Sequence, residues 1–324
     1  MPTAFITGGS GFIGGALIDR LLREGWHVKA LARSSKAART VGDRGAEASM
    51  GDLDDVGAMT SGARGSDVVF HAAAHLGEWG ARSEFERGNV GGTRHVLEAA
   101  TAAGVRRFVH VGTEAALMHG EPLIDVDETA PLRPDSPALY SATKAQAEQL
   151  VRAAEGIETV VVRPRLVWGP GDTTILPGVR AAVERGRWAW IGGGRHRTST
   201  THVDNVVEGL WLAATKAPPG GVYFVTDGEP VVFRDFITRL LATQGLDPGD
   251  KTLSPRVAAT VAAAGETLWR VLPMRGAPPL TRLALWLASQ ECTIDIGRAR
   301  RELGYAPVTT IDAGMEQLRR VAGP

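Results

Sequence analysis

A run of glycines between a short apolar stretch and an amphipathic one constrains this chain more than any other feature. Thr7, Gly8, Gly9, Ser10, Gly11, Phe12, Ile13 and Gly14 follow Ala4-Phe5-Ile6 directly. Gly8, Gly11 and Gly14 fit G-x-x-G-x-x-G, and Gly9, Gly11 and Gly14 also fit G-x-G-x-x-G. One glycine allows a tight turn, and one lets backbone approach a pyrophosphate. The third lets a helix start against the strand with its N-terminus facing the phosphates. The context agrees: a strand is predicted before the turn, and after it a helix from about Gly14 to Glu24. That helix carries Leu17, Ile18, Leu21 and Leu22 on one stripe and ends at Gly25.

Further β-rich runs occur at His27 to Leu31, Val68-Val69-Phe70, Phe108 to Val111 and Thr159 to Val162, several of them separated by helical patterns. Alternation of this kind predicts an α/β fold, a Rossmann-type doubly wound parallel sheet. Beyond Arg163-Pro164 the pattern loosens, and Pro and Gly punctuate it. We expect a dinucleotide-binding domain over residues 1–163 with a return segment at 199–228. Residues 164–198 and 229–324 form a smaller, mixed α/β C-terminal substrate lobe.

Acidic and basic residues balance at 36 each, so nothing favours nucleic acid or an anionic membrane surface as a partner. The single cysteine, Cys292, rules out a disulfide within the chain, and the eight histidines show no metal-ligand spacing, so no metal is expected. No stretch reaches the roughly 18–20 uncharged apolar residues of a membrane span. With no basic leader ahead of the Gly-rich turn, the expected location is cytoplasmic.

The second strand bears on which dinucleotide binds. An NAD site places Asp or Glu about 20 residues after the glycines, on the ribose 2′-hydroxyl. Here the segment reads Ala30-Leu31-Ala32-Arg33-Ser34-Ser35, without an acid. Arg33 could pair with a 2′-phosphate, so the expected cofactor is NADP.

Other segments carry a family resemblance. They are Gly51-Asp52-Leu53, His71-Ala72-Ala73-Ala74, Asn89-Val90-Gly91-Gly92-Thr93, Tyr140-Ser141-Ala142-Thr143-Lys144, Arg163 to Asp172, Thr201 to Asn205 and Ala299 to Tyr305. With the glycine turn, they make the chain resemble the extended short-chain dehydrogenases/reductases over nearly its whole length. The nearest likeness is to the 3β-hydroxysteroid dehydrogenase-like branch, within the wider epimerase/dehydratase group. The resemblance implies an enzyme, and it puts Gly8, Gly11, Phe12, Ile13, Gly14, Arg33, Asp52, Leu53, Ala72, Ala73, Ala74, Pro164 and Arg165 at the dinucleotide.

Tyr140 and Lys144 stand at i and i+4 and share a helix face. A tyrosine has a pKa of about 10, and a neighbouring ammonium is expected to lower it. Tyr140 would then exchange a proton with a carbonyl or alcohol oxygen. The resemblance implies that Lys144 also binds the nicotinamide ribose, and that a Ser or Thr ends the preceding strand; we expect Thr113 there, holding the substrate oxygen. Many relatives have Ser where this chain has Gly112, and Val-Tyr-Gly where it has Ala116-Leu117-Met118. Glu114 is read as a helix-start or surface carboxylate, with the alternative that it points into the site as in some dehydratases. Asn89 either supports a water-linked proton path or bonds local backbone. His202 and Asp204 are read as architectural.

Val257, Val261, Ala264, Leu268 and Val271 recur at helical spacing, followed by Leu283, Leu285, Trp286 and Leu287. They either pack on the sheet lobe or wall a lipophilic substrate, with Trp79, Met118, Trp168, Trp188 and Trp190 in segments that could border the pocket. The expected reaction is hydride transfer between NADP(H) and a lipophilic ketone or secondary alcohol, steroid-like or β-keto acyl in type. One alternative is a nucleotide-sugar epimerase/dehydratase, for which only Arg234 and Arg275 offer a diphosphate clamp. Another is a non-catalytic NADP-binding sensor, which would typically have lost Tyr140 or Lys144. The resemblance also implies a homodimer formed by the helix carrying Tyr140 and the helix after Asn89, weakly supported by the small residues Ala142, Ala145 and Ala147.

Overall fold

The computed structural model describes residues 1–272, 274 and 276–322. Seven parallel strands form the main sheet: β1 (Thr3–Thr7), β2 (His27–Ala32), β3 (Glu47–Met50), β4 (Val68–His71), β5 (Arg107–Val111), β6 (Glu158–Pro164) and β7 (Val222–Val225). Their order is β3-β2-β1-β4-β5-β6-β7, so the direction of winding reverses between β1 and β4. The register pairs Ala4 with Val28 on one side and with Val68 on the other. A parallel sheet needs both faces covered, and its inner strands are accordingly buried and mostly apolar. Ala4 and Ile6 pack with Phe70, Val109 and Val160 on one face, while Phe5 packs with Val69, Phe108 and Val161 on the other.

The first face is covered by α1 (Phe12–Arg23), and by α6 (Val203–Thr215), which packs against it. The opposite face is covered by α3 (Val56–Ala63), α4 (Gly92–Ala102) and α5 (Leu139–Arg152), while α2 (Ser35–Gly42) joins β2 to β3. Helix α1 buries Leu17, Ile18 and Leu21, and Gly25, with φ +76°, turns the chain out of it. It starts two residues earlier than the sequence suggests, at Phe12. β3 has a weak signature because Glu47-Ala48-Ser49-Met50 lies at the sheet edge and stays largely exposed.

Of the segment expected in the C-terminal lobe, Ile294, Ile296, Ala299, Leu303 and Tyr305 instead join the core on the first face of the sheet; other parts form cores of their own. Trp168, Trp190, Phe233, Phe236 and Leu240 make a separate core. A third apolar cluster joins Ala115 and Met118 to α7 (Pro255–Val271), α8 (Arg282–Ser289) and the partly buried Tyr140.

The glycine turn is sterically tight. A Cβ on Gly14 would lie 2.2 Å from the Gly8 carbonyl oxygen and 2.9 Å from the Gly9 Cα. One on Gly8 would meet the Ala72 and Ala73 backbone at 2.7 Å, and Gly8 itself sits at φ +78°. We expect Gly14→Ala to destabilise the fold by about 1–3 kcal/mol through forced displacement of the turn, and to abolish dinucleotide binding. Urea denaturation and calorimetric titration check both effects; unchanged binding would show that the turn is not closely packed.

Candidate active site

Two loops leave the sheet side by side where the winding reverses, the place at which open parallel sheets bind ligands. The first follows β1 as the glycine turn, where Gly8, Gly11, Phe12, Ile13 and Gly14 lead into α1. The second follows β4 as Ala72-Ala73-Ala74, held by the bond from the Ala72 N–H to the Thr7 carbonyl at 3.1 Å. His71 fixes the base of that loop: its ring bridges the Thr7 hydroxyl at 2.7 Å and the Thr93 hydroxyl at 3.0 Å. Burial, with the Lys144 charge nearby, pushes His71 down to about 3, so it is neutral. A cradle that any Cβ would fill, at the N-terminus of a twelve-residue helix, fits a pyrophosphate.

Arg33 is exposed after β2, and among the described residues its side chain has no hydrogen-bond or ion-pair partner. Ser34 caps α2, accepting from the Ala37 N–H at 3.2 Å. Lys36 and Arg39 follow on the same helix, which has no acid in its first turn. This surroundings suits an extra phosphate. Asp52 is exposed and accepts from the Leu53 N–H, and the Leu53 side chain packs beside Gly92 at the start of α4.

Tyr140, Lys144 and Glu148 form one stripe along α5, a turn apart each. Lys144 is buried, and its Nζ donates to the Val111 carbonyl at 2.9 Å, at the end of β5. Burial pushes Lys144 down to about 8, against the pull of the Glu148 carboxylate. Tyr140 departs from expectation. Its pKa is raised, first by burial and then by the Glu114 carboxylate, with the Thr113 hydrogen bond opposing. Lys144 is turned to backbone, and its charge does not offset these effects.

Glu114 is not a surface carboxylate. It is 3% exposed, accepts a hydrogen bond from the Thr113 hydroxyl at 2.8 Å and pairs with the Arg165 guanidinium at 2.6 Å. Arg165, expected at the dinucleotide, is fully buried. Its Nε and Nη2 both go to the Thr198 hydroxyl, at 3.1 and 3.0 Å, and its Nη1 goes to Glu114, so the charge is committed inside the protein. Pro164 ends β6 between Arg165 and a second buried arginine, Arg163, which donates to Glu148 at 2.9 Å. Gly112 is explained by that second pair: a Cβ there would lie 3.0 Å from Val161 and 3.2 Å from the Arg163 side chain. Sequence reasoning missed both pairs, because no local pattern links residues 51 and 15 positions apart.

Asn89 takes the local-backbone alternative. Its amide bonds the His75 N–H at 2.7 Å and carbonyl at 3.3 Å, and also the Thr143 hydroxyl at 3.1 Å. His202 accepts from the Asp204 N–H and stacks edgewise on Trp168, in keeping with an architectural role.

The region around Tyr140 is apolar. Met118, Ala258, Ala262, Leu283, Leu285 and Trp286 belong to its cluster. Trp168 and Trp190 are instead fully buried in the second core, where their indole N–H groups donate to Asp227 and to the Gly249 carbonyl, and Trp188 stacks on Trp190. Trp79 lies under the Arg270 guanidinium, in a loop tied to α8 by the Thr281 hydroxyl donating to Glu78 at 2.9 Å. The stripe from Val257 to Val271 neither packs on the sheet lobe nor walls the site, because it faces solvent. Arg234 is committed to Asp250 and lies over Trp190, and Arg275 lies outside the described residues. Ala142, Ala145 and Ala147 are buried within the chain, so they form no seam for a second copy.

The profile of the 3-beta hydroxysteroid dehydrogenase/isomerase family matches residues 5–256. The chain is 47% identical to the 4-hydroxy-2-methyl-3-oxo-4-farnesyl-3,4-dihydroquinoline-1-oxide ketoreductase of Stigmatella aurantiaca, covering 99% of this chain and 96% of that one. It is 37% identical to the 2-alkyl-3-oxoalkanoate reductase of Stenotrophomonas maltophilia strain K279a, over 97% of each. The crystal structure of gox2253 superposes with a TM-score of 0.79 over 99% of both chains at 27% identity. The NAD-bound dTDP-glucose 4,6-dehydratase DesIV of Streptomyces venezuelae, at 23% identity and a TM-score of 0.76 over 98% of this chain and 95% of that one, shares the fold. This chain therefore belongs to the 3-beta hydroxysteroid dehydrogenase/isomerase family and is an NAD(P)-dependent oxidoreductase of the extended short-chain dehydrogenase/reductase type.

Proposed function

We propose that this enzyme reduces a bulky lipophilic ketone with NADPH, and that residues 164–198 and 229–324 form the lobe that receives it. The observation that carries this reading is the pairing of Tyr140 and Thr113 beside an apolar cluster, with Arg234, a candidate for a diphosphate clamp, committed to Asp250. A charged diphosphate there would lack partners, which is costly, whereas a carbon skeleton gains about 25 cal/mol for each Å² it buries. The printed substrates of the two relatives, a farnesylated oxo-dihydroquinoline and a 2-alkyl-3-oxoalkanoate, are bulky ketones of this kind.

A reduced nicotinamide held beside Tyr140 and Lys144 would supply the hydride for the carbonyl carbon. Tyr140 gives its hydroxyl proton to the carbonyl oxygen as the C=O π bond becomes a C–O–H single bond. The phenol is protonated near neutral pH, so it has a proton to give in the direction of reduction. Thr113 holds the same oxygen, its hydroxyl turning from Glu114, and the Glu114–Arg165 pair keeps the Thr113 turn in place. Lys144 is positioned by Val111 to meet the nicotinamide ribose. The glycine turn, Asp52, Leu53 and Ala72 to Ala74 hold the rest of the dinucleotide, and Arg33 takes the 2′-phosphate. A dimer through α4 and α5 belongs to the same reading, since a groove of about 520 Å³ lined by Leu97, Ala102, Leu150 and Ala154 runs between them on the outer face.

With NADPH and a long-chain 2-alkyl-3-oxo acid or prenylated cyclic ketone, we expect turnover. Tyr140→Phe should lower kcat by about 10²–10⁴-fold while leaving the dinucleotide Kd within a few-fold. Stabilisation by UDP- or dTDP-sugars in a thermal-shift screen, with none by the ketones, would overturn the reading. Arg33→Ala should weaken NADP by about tenfold or more, with little change for NAD; equal affinity of the native protein for both, by calorimetry, would remove the 2′-phosphate site. Glu114→Ala, which strands a buried guanidinium, should cost about 3–5 kcal/mol in urea denaturation. The double substitution Glu114→Met with Arg165→Met should recover most of that, and a loss just as large would refute the pair as the cause.

A further inference from the structure

Helix α7 is amphipathic in reverse. Its fully buried positions are Ala258, Ala262 and Glu266, one turn apart. Apart from the half-buried Trp269, its large apolar side chains point outward: Val257, Val261 and Leu268 are 41–49% exposed and Val271 is 73% exposed, and the surface continues through Leu272 and Met274. A helix that only needed to cover a core would put its larger apolar side chains inward. An exposed stripe of this length marks a surface that meets another phase or molecule.

The polar groups around the stripe indicate which. The only acid of α7 is Glu266, turned inward, where Arg282 pairs with it at 3.2 Å and donates its backbone N–H at 2.7 Å, and where the Arg270 guanidinium also reaches it at 4.0 Å, so two arginines face one carboxylate. The outward polar side chains are Arg256, Thr260, Thr267 and Arg270, so the exposed face carries positive charge and no carboxylate. Arg270 lies 5.6 Å from the centroid of the Trp79 ring, and Leu76, in the same loop, is 56% exposed. Apolar side chains with a basic border match an anionic lipid surface. No helix among the described residues is long and apolar enough to cross a membrane, so α7 would lie in the plane of the interface.

The inward row connects this surface to the chemistry. Ala258 and Ala262 belong to the cluster that contains Met118, Trp286 and Tyr140. Helix α7 therefore lies between the outer stripe and the apolar cluster around Tyr140.

We propose that α7, with Leu76 beside it, docks the enzyme on an anionic lipid surface, so that a lipid-dissolved ketone reaches the site without crossing water. The route for the ketone rests on the ketoreductase reading; the docking itself does not.

The test is co-sedimentation of the full chain with vesicles of phosphatidylcholine alone and of phosphatidylcholine mixed with phosphatidylglycerol, at low and high salt. We expect the protein to sediment with the mixed vesicles, less with phosphatidylcholine alone, and less at high salt. Val261→Glu with Leu268→Glu should cut the bound fraction by about tenfold or more, and Arg256→Gln by a smaller factor. Both variants should keep the native melting temperature and the turnover of a short, water-soluble ketone. No sedimentation with mixed vesicles, or binding untouched by the two glutamates, would overturn the proposal. So would light scattering that shows lipid-free protein associating through this face, with the glutamates dissolving the assembly. Turnover of ketones without vesicle binding would sink the docking alone, and vesicle binding without turnover of any ketone would sink the ketoreductase reading alone.

Discussion

Two buried ion pairs, Glu148–Arg163 and Glu114–Arg165, hold the reacting groups of this enzyme to its sheet. Taking such charges out of water is costly, and the cost is met only when each charge finds a partner and its remaining hydrogen bonds. Both arginines lie at the end of β6, on either side of Pro164. One ties down the helix that carries Tyr140 and Lys144, and the other ties down the turn that carries Thr113. Tyr140 and Thr113 thus reach each other because two elements distant in sequence are fastened to one strand end.

The same economy shapes the dinucleotide side. The turn after β1 and the loop after β4 are neighbours only because the winding of the sheet reverses between those strands. Gly8 then approaches the Ala72–Ala73 backbone so closely that no side chain fits, and neutral His71 fastens the loop to β1 and α4. Burial sets protonation throughout. It keeps His71 neutral, lowers Lys144 and raises Tyr140, and the phenol holds a proton to give. The lowering of the Tyr140 pKa by a neighbouring ammonium, expected from their spacing on one helix face, is absent, and the lysine reaches for the Val111 carbonyl instead.

Much of this was legible in the sequence. Glycine spacing between an apolar run and an amphipathic one specifies a backbone approach that only glycine permits, and it needs no distant contact to be read. Alternating strand and helix patterns specify a parallel sheet, because such strands must bury both faces. The i and i+4 placement of Tyr140 and Lys144 on one face follows from helix pitch alone. The edge strand Glu47–Met50 had no comparable signal, since its side chains are exposed and its existence depends on the hydrogen bonds offered by β2. Trp168 and Trp190 looked like candidates for a pocket wall because bulk and polarity do not say which core a side chain joins.

The sequence by itself determined the periodicities: which residues share a strand face, which share a helix face, and where the backbone must turn. Only the tertiary structure decided which face looks inward and which charges meet. Glu114 read as a surface carboxylate until Arg165, brought alongside by the sheet, made its burial affordable. The stripe from Val257 to Val271 read as packing or pocket wall, yet α7 rests on its alanines and turns the stripe outward. Periodicity is a property of local chain geometry. Orientation and pairing depend on the surface against which an element lands, and residues far away in the sequence build that surface.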